Sequence, residues 1–305
     1  MTSDWLIGVD LGGTKTEVIL LDSASREHFR MRQPTPKGDY QGTLATIVRL
    51  VQEAEAHSGS SCPPVGVGIP GFVSGLTGRV KNGNSTWLNG QPMAADLTRL
   101  LSRPVTLAND ANCLALSEAT DGAGEGYGVV FAAILGTGCG AGISVNGQLL
   151  TGPNGVAGEW GHNPLPWTSQ VELDRRPCFC GRLGCNETFL SGTGMALTHQ
   201  LMWQEARTSE QVVAEAARGD SKSAQTLELY LDHLARGLAS VINLLDPDVI
   251  VLGGGLSNVA AIYQQLPGRL GELVFGGECQ TPVVRAAHGD SSGVRGAAWL
   301  ARSQA

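Results

Sequence analysis

Apolar positions along the chain come in short runs that stop at glycine. Trp5-Leu-Ile-Gly-Val-Asp-Leu11 ends at Gly12-Gly13, and Glu17-Val-Ile-Leu-Leu21 follows, which predicts two strands around a glycine turn. Residues 43–56 carry Leu44, Ile47, Val51 and Ala54 at helical spacing. Val65-Gly-Val-Gly-Ile69, halted by Pro70-Gly71, predicts a buried strand, and Val105-Thr-Leu-Ala108 another; Asn109 then caps a helix through Leu114, Ala115 and Glu118. After Asp121-Gly-Ala-Gly-Glu-Gly126 the opening pattern returns as a strand over 129–135, a turn Gly136-Thr-Gly-Cys-Gly140 and a strand over 141–145. Leu227, Leu231, Leu234, Leu238, Val241 and Leu245 alternate steps of four and three, a buried helical stripe ended by Asp246-Pro247. Val249-Ile-Val-Leu252 runs into Gly253-Gly254-Gly255, and a last helix covers 291–301. Alternating strands and helices make the class α/β.

The repeated strand–turn–strand opening divides the chain near 121–126, and a length of 305 residues suits two domains. Hydrophobic residues at 42 % and charged residues at 16 % place it among globular proteins. Glycine, at 42 residues, is nearly twice the usual ~7 % without a collagen period, so tight turns and close backbone approaches are expected. A net charge of −7 with no basic stripe leaves no expectation of a nucleic-acid partner. No apolar run is long enough to span a membrane. Met1-Thr2-Ser3-Asp4 lacks the basic stretch of a signal peptide, and the seven cysteines are an odd number, so a reducing, cytoplasmic setting is expected.

Three glycine turns at strand ends suggest a nucleotide. In Asp10-Leu-Gly-Gly-Thr-Lys15 the glycines let N–H groups approach phosphate oxygens, Lys15 adds charge, Thr14 a hydroxyl, and Asp10 a carboxylate able to hold Mg²⁺. The same letters also fit a plain hairpin. Asn109-Asp110 reads equally as a helix cap or as a general base at a helix N-terminus. Cys178-Phe-Cys180-Gly-Arg-Leu-Gly-Cys185, with His162, offers a Cys₃His set for structural zinc; reactive or merely buried thiols remain the alternatives. Zinc would order the irregular stretch 154–187. Glu159, His162 and Glu187 flank that cluster, and Asn84, Trp87 and Asn89 offer amides and a ring of the kind sugars pack on.

Together, Asp10-Leu-Gly-Gly-Thr-Lys15, the run from Leu135 through Gly161-His162, and Cys178-x-Cys180-Gly-x-x-Gly-Cys185-x-Glu187 resemble the ROK family (repressors, open reading frames, kinases) over essentially the whole chain. Lys81-Asn-Gly-Asn-Ser-Thr-Trp-Leu-Asn-Gly-Gln-Pro92, Gly158-Glu-Trp-Gly-His-Asn-Pro-Leu-Pro-Trp167 and Phe275-Gly-Gly-Glu278 most resemble its bacterial fructokinases. The resemblance implies an actin-like ATPase (ribonuclease H-like) fold with two domains around a nucleotide and sugar cleft. These would be 1–120 with the C-terminal helix 290–305, and 121–289. It implies Asp110 as the base and Gly8, Asp10, Gly12, Gly13, Thr14 and Lys15 with Gly136, Thr137, Gly138 and Gly140 at the ATP phosphates and Mg²⁺. Gly253, Gly254 and Gly255 would lie by the adenosine. Asn84, Asn109, Asp110, Glu159, His162 and Glu187 would face the sugar, and His162, Cys178, Cys180 and Cys185 would hold structural Zn²⁺. The expected reaction is ATP-dependent phosphorylation of D-fructose to D-fructose 6-phosphate by a homo-oligomer, a dimer. Mannose, glucose or an N-acetylhexosamine are the alternative acceptors, and a non-catalytic sugar sensor a remoter reading. The family's repressors carry a DNA-binding extension ahead of the first glycine loop; here Asp10 follows Met1 too closely for one, so none is expected.

Overall fold

The structure is a computed structural model describing residues 5–59, 62–83 and 85–302, and of Asp290 the backbone alone. Asn84, expected at the sugar, lies outside the described residues. The chain divides into two compact units: Met1–Gly126, Gly142–Ala157 and Asp290–Ala305 form the first, Tyr127–Ala141 and Gly158–Gly289 the second.

The first unit opens with β1 (Trp5–Leu11), β2 (Lys15–Asp22) and β3 (Glu27–Pro34). Helix α1 (Tyr40–Ser58) starts where the Asp39 side chain accepts from Gly42 N and stops at Gly59 in the left-handed region. Then come β4 (Val65–Ile69), the small hairpin β5 (Phe72–Val73) and β6 (Val80–Lys81), α2 (Met93–Leu101), β7 (Val105–Asn109) and α3 (Asp110–Asp121). The second unit contributes β8 (Val129–Leu135) and the start of β9 (Cys139–Val145); β10 (Gln148–Leu149) folds back on β9 within the first unit's segment. Five helices follow, α4 (Gln170–Leu173), α5 (Glu187–Leu190), α6 (Gly192–Trp203), α7 (Ser209–Ala217) and α8 (Ser221–Leu245), then β11 (Val249–Gly253), α9 (Ala260–Leu273) and β12 (Val283–Arg285). The last helix, α10 (Ser292–Arg302), returns to the first unit.

Sheet order in the first unit is β3-β2-β1-β4-β7. The first two pairings are antiparallel and the last two parallel, with Asp10 opposite Gly68 and Ile69 opposite Asn109. Three strands therefore end side by side, and Asp10 and Asn109-Asp110 sit at those carboxyl ends. In α/β sheets ligands bind at such ends. The sequence reading missed β3, because this edge strand is Glu, His and Arg alternating with Phe29 and Met31, and only the latter two pack on the core. One core cluster joins α1 to the sheet through Leu44, Ile47, Leu50 and Val51, and a second joins α10 through Val294, Ala298 and Trp299.

Glycine decides how closely α10 lies. A Cβ on Gly8 would collide with Val294 O and Ala298 N, and one on Gly66 with Ala297 O. Gly8, expected at the phosphates, is thus a packing residue in mid-strand. Gly142 backs onto α3 in the same way, with Ala111 O 2.5 Å from the position of an added Cβ. That approach places 142–157 with the first unit rather than in the expected second domain of 121–289.

In the second unit β8, β11 and β12 are parallel, with Gly253 opposite Ile134, so the turns after β8 and β11 again lie at neighbouring carboxyl ends. Helix α8 is buried along Tyr230, Leu231, Leu234, Leu238 and Val241. Its polar residues Arg236 and His233 reach Glu172, at 2.5 and 3.1 Å. Burial opposes the charge on Glu172, but Arg236, Ser169 and His233 outweigh it and bring its pKa from 4.5 to about 2. Burial, helped by Arg236, lowers His233 from 6.5 to about 4.

Two outcomes are expected. Gly8→Ala should lower stability by about 1–3 kcal/mol or more, read as a fall in the thermal midpoint. Acid should act in two overlapping ranges. His233 binds its proton later in the folded than in the unfolded chain, so stability falls as pH drops from 6.5 to about 4. Glu172 is likewise lowered, so its contribution, complete above 4.5, is lost towards about 2. Because Asp10, raised to about 7, acts in the opposite sense between pH 7 and 3.8, the Glu172 contribution is read as a difference: from pH 4.5 to 3 the urea midpoint of Glu172→Gln should fall less steeply than that of the parent chain.

Candidate active site

In the first unit the β1–β2 turn is built from Gly12, Gly13 and Thr14. Gly12 N donates to Lys15 O at 2.9 Å, and Thr35 pins the turn by donating its hydroxyl to Gly12 O and its N–H to Thr14 O. Thr14 and Lys15 are exposed, free to meet an anion. Asp10, one residue before the end of β1, sits in space cleared by two glycines. An added Cβ would lie 3.5 Å from its carboxyl at Gly68 and 3.3 Å from it at Gly293. Among the described residues no donor hydrogen-bonds this carboxyl. Burial, the charge of Asp110 and that of Glu17, opposed by Arg32, push its pKa up to about 7.

Asp110 is the first residue of α3. Asn109 caps the helix by accepting from Ala111 N at 2.8 Å, and the same N–H reaches Asp110 Oδ1 at 2.8 Å. Desolvation at the foot of α3 raises the Asp110 pKa against the opposing pull of the Ala111 and Asn109 hydrogen bonds, although the residue as a whole is exposed. Asn109 also donates from Nδ2 to Gly71 O at 3.0 Å, so its amide braces two loop ends. The thiol of the buried Cys113 is pushed well above its ordinary value by burial and by both aspartates. Two carboxyls with raised pKa values at the ends of β1 and β7 are a chemically unusual set, of the kind that functional sites hold.

The sugar loop departs from expectation. The Trp87 indole donates to Thr43 Oγ1 at 3.2 Å and packs against the core. Asn89 accepts from Gly83 N at 2.9 Å and donates to Gly83 O at 3.0 Å. Both side chains hold the loop together rather than offer themselves to a ligand.

In the second unit Gly136 N donates to Gly138 O at 3.0 Å, closing the turn after β8. Helix α6 begins against it: Gly192 N donates to Gly136 O at 2.7 Å and Thr193 Oγ1 to Thr137 O at 2.9 Å. A helix N-terminus beside a glycine turn favours an anion. Glu187, at the start of α5, accepts from Cys139 N at 3.1 Å. Gly254, with φ 80°, lies over Leu135 O and joins the third glycine turn to the second. Gly140, expected in the turn, belongs to β9. Beside these turns opens a cleft of about 740 Å³ lined by Thr137, Thr193, Glu210, Val213, Gly255 and Asn258 among others, a size that suits a nucleoside. The α6 and α7 residues of this wall carry no motif, and the sequence reading missed them.

The loop 159–187 folds around a cluster. His162 Nδ1 lies 3.5 Å from Cys178 Sγ, Cys180 Sγ lies 3.6 Å from Cys185 Sγ, and all four ligand atoms fall within 4.8 Å of one another. Tetrahedral zinc with metal–sulfur bonds of about 2.3 Å has edges of about 3.8 Å, so the cluster fits such an ion. Asn186 N donates to Asn163 O at 2.8 Å and Asn186 Nδ2 to Trp160 O at 2.8 Å. The Glu159–His162 segment and Glu187 are thereby brought together. Gly161 permits this, since a Cβ there would collide with Cys139 O.

A sequence profile of the ROK family matches residues 6–304. An N-acetyl-D-glucosamine kinase of Pectobacterium atrosepticum is 39 % identical over 297 residues, covering 96 % of this chain and 97 % of that one. Among solved structures, a ROK hexokinase from Thermus thermophilus superposes with a TM-score of 0.88 at 28 % identity, over 98 % of both chains. A ROK glucokinase from Streptomyces griseus, determined with glucose and AMPPNP, superposes at 0.79 with 27 % identity over 98 % of this chain and 99 % of its own. The fold is therefore the actin-like ATPase fold expected from the sequence.

The proximity of the two aspartates has a measurable consequence. In the protein without added metal, Asp110→Asn should bring the Asp10 pKa below about 7, because one of the charges raising it is gone. Carboxyl ¹³C NMR against pH reads this directly; an unmoved Asp10 would leave burial and Glu17 as the causes.

Proposed function

Because the chain belongs to the ROK family, we propose that it transfers the terminal phosphoryl group of ATP to the 6-hydroxyl of N-acetyl-D-glucosamine. The observation that carries the acceptor is near-full-length identity of 39–40 % with several N-acetyl-D-glucosamine kinases. This replaces D-fructose, which rested on a resemblance of 81–92, 158–167 and 275–278; the near-full-length relatives favour the N-acetylhexosamine that stood as an alternative acceptor.

Asp110 is the base. It takes the 6-hydroxyl proton as that oxygen bonds phosphorus and the bond to the departing ADP oxygen breaks. Its raised pKa makes it a stronger acceptor than an ordinary carboxylate. In the first unit Lys15, Thr14 and the N–H groups of the Gly12–Gly13 turn are offered to phosphate; in the second the turn 136–138 is offered to phosphate and the cleft beside Gly255 to adenosine. The desolvated, donor-free Asp10 fits Mg²⁺, held directly or through water; when bound, the ion offsets phosphoryl charge. Glu159, His162 and Glu187 face the sugar. His162 would bind zinc through Nδ1, alongside Cys178, Cys180 and Cys185, leaving Nε2 for a hydroxyl. Four protein ligands leave no open position, so this zinc is structural. The working place is the cytoplasm; no described helix is long and apolar enough to cross a membrane.

Asp110→Asn should cost kcat about 10²–10⁴ while acceptor binding persists; near-normal turnover would remove Asp110 as base. In a panel with ATP and Mg²⁺, N-acetyl-D-glucosamine should give the highest kcat/KM, ahead of glucose, mannose and fructose. A winning fructose would restore the sequence reading and overturn this acceptor. Elemental analysis should find about one zinc per chain. Cys180→Ser should raise the acceptor KM more than the ATP KM.

A further inference from the structure

Arg176 stands between α4 and the first cysteine of the loop and is only 3 % exposed. Buried guanidinium groups usually sit against a carboxylate. This one hydrogen-bonds none. Nε donates to Glu172 O at 3.0 Å, Nη1 to Thr188 O at 2.6 Å and Nη2 to Thr198 Oγ1 at 2.8 Å, and the guanidinium lies 4.1 Å from the centre of the Phe189 ring. Helices α4 and α5 have four residues each, so their carbonyls find almost no partners inside the helix. One cation serves both carbonyl ends, where positive charge is favoured, and its third arm reaches α6.

Helices α5 and α6 are the ones that fasten the second glycine turn. Glu187, opening α5, accepts from Cys139 N just beyond Gly138, and α6 opens with the Gly192 N–H on Gly136 O. The Cys/His cluster grips His162 and residues 178–185 but not the body of α5.

We propose that Arg176 is a positioning residue that sets Glu187 against the turn 136–138 by holding α5 and α6 together, without touching substrate. The proposal rests on the reading above that Glu187 serves the reaction. It needs arginine: three donors diverging from a rigid plane reach three helices, whereas an ammonium is a single point.

The experiment compares Arg176→Lys, Arg176→Met, Glu187→Gln and the double variant Arg176→Met with Glu187→Gln. It reads kcat and KM for ATP and for N-acetyl-D-glucosamine, zinc content and thermal midpoint. Arg176→Met and Arg176→Lys should both lose about ten- to a hundredfold in kcat at unchanged zinc, since displacement of about 1 Å is enough for that. The double variant should be no slower than Glu187→Gln within about twofold, because the two residues act in series. Millimolar methylguanidinium should restore part of the rate to Arg176→Ala. Additive losses would overturn the proposal, as would a variant with a lower thermal midpoint but full kcat. Should the methionine variant not fold, the lysine variant, which keeps the charge, carries the same comparison. Full rate in Glu187→Gln would remove the premise about Glu187, and the proposal with it.

Discussion

Parallel pairing in register is the constraint on which the rest depends. With Asp10 opposite Gly68 and Ile69 opposite Asn109, the ends of β1, β4 and β7 lie level, and a turn residue at one strand end is a neighbour of a helix-start residue at another. The level ends become a site only because α10 lies hard against the sheet. Gly8 and Gly66 admit its backbone, and Gly293, in that helix's first turn, then reaches the Asp10 carboxyl. Were α10 to stand off by a side chain, water would enter beside Asp10 and the pressure on its pKa would relax. Packing and chemistry are here one geometric condition, which explains why glycine is spent in mid-strand despite its entropic cost.

The carboxylates of the two units differ in how their charge is compensated. Glu17 is buried in the same sheet as Asp10, yet hydrogen bonds from Arg30 and Arg32 outweigh burial and lower its pKa. Glu172 has Arg236 and His233. These carboxylates are compensated where they stand and hold the fold. Asp10 and Asp110 have no arginine or histidine hydrogen-bonded to them among the described residues, and both are raised; raised carboxyls of this kind are candidates for holding a cation or exchanging a proton. Arg176 is the mirror case, a buried cation whose compensation comes from carbonyl dipoles, and it too stands beside functional groups.

Legibility in the sequence followed the same division. Strands of continuous apolar residues, such as β4 and β11, and the capped start of α3 at Asn109 were readable, because period and capping are local properties. Edge strand β3 was not, since its exposed face breaks the apolar run. Helices α4 and α5 were hidden for another reason: single turns have no period, and beyond the Ser169–Glu172 capping box of α4 it is Arg176 that ties their carbonyl ends together. The glycine motifs were visible as motifs but not as roles. Gly8 packs on α10, Gly140 extends β9 and Gly161 admits Cys139, while Gly136 and Gly138 form the turn itself.

The acceptor was the least legible part, for a physical reason. The groups proposed to react are fixed by backbone position at strand ends and helix starts, which short motifs encode directly. Acceptor choice depends on which polar atoms of a loop remain unspent once the loop has built itself. In 81–92 an indole and an amide that look like sugar ligands are committed to Thr43 and Gly83. No spacing of letters reveals that commitment, because a free asparagine and one closing a loop are the same residue until the chain folds. Near-full-length identity samples the folded loop as a whole, which is why it bears on the acceptor where the motif does not.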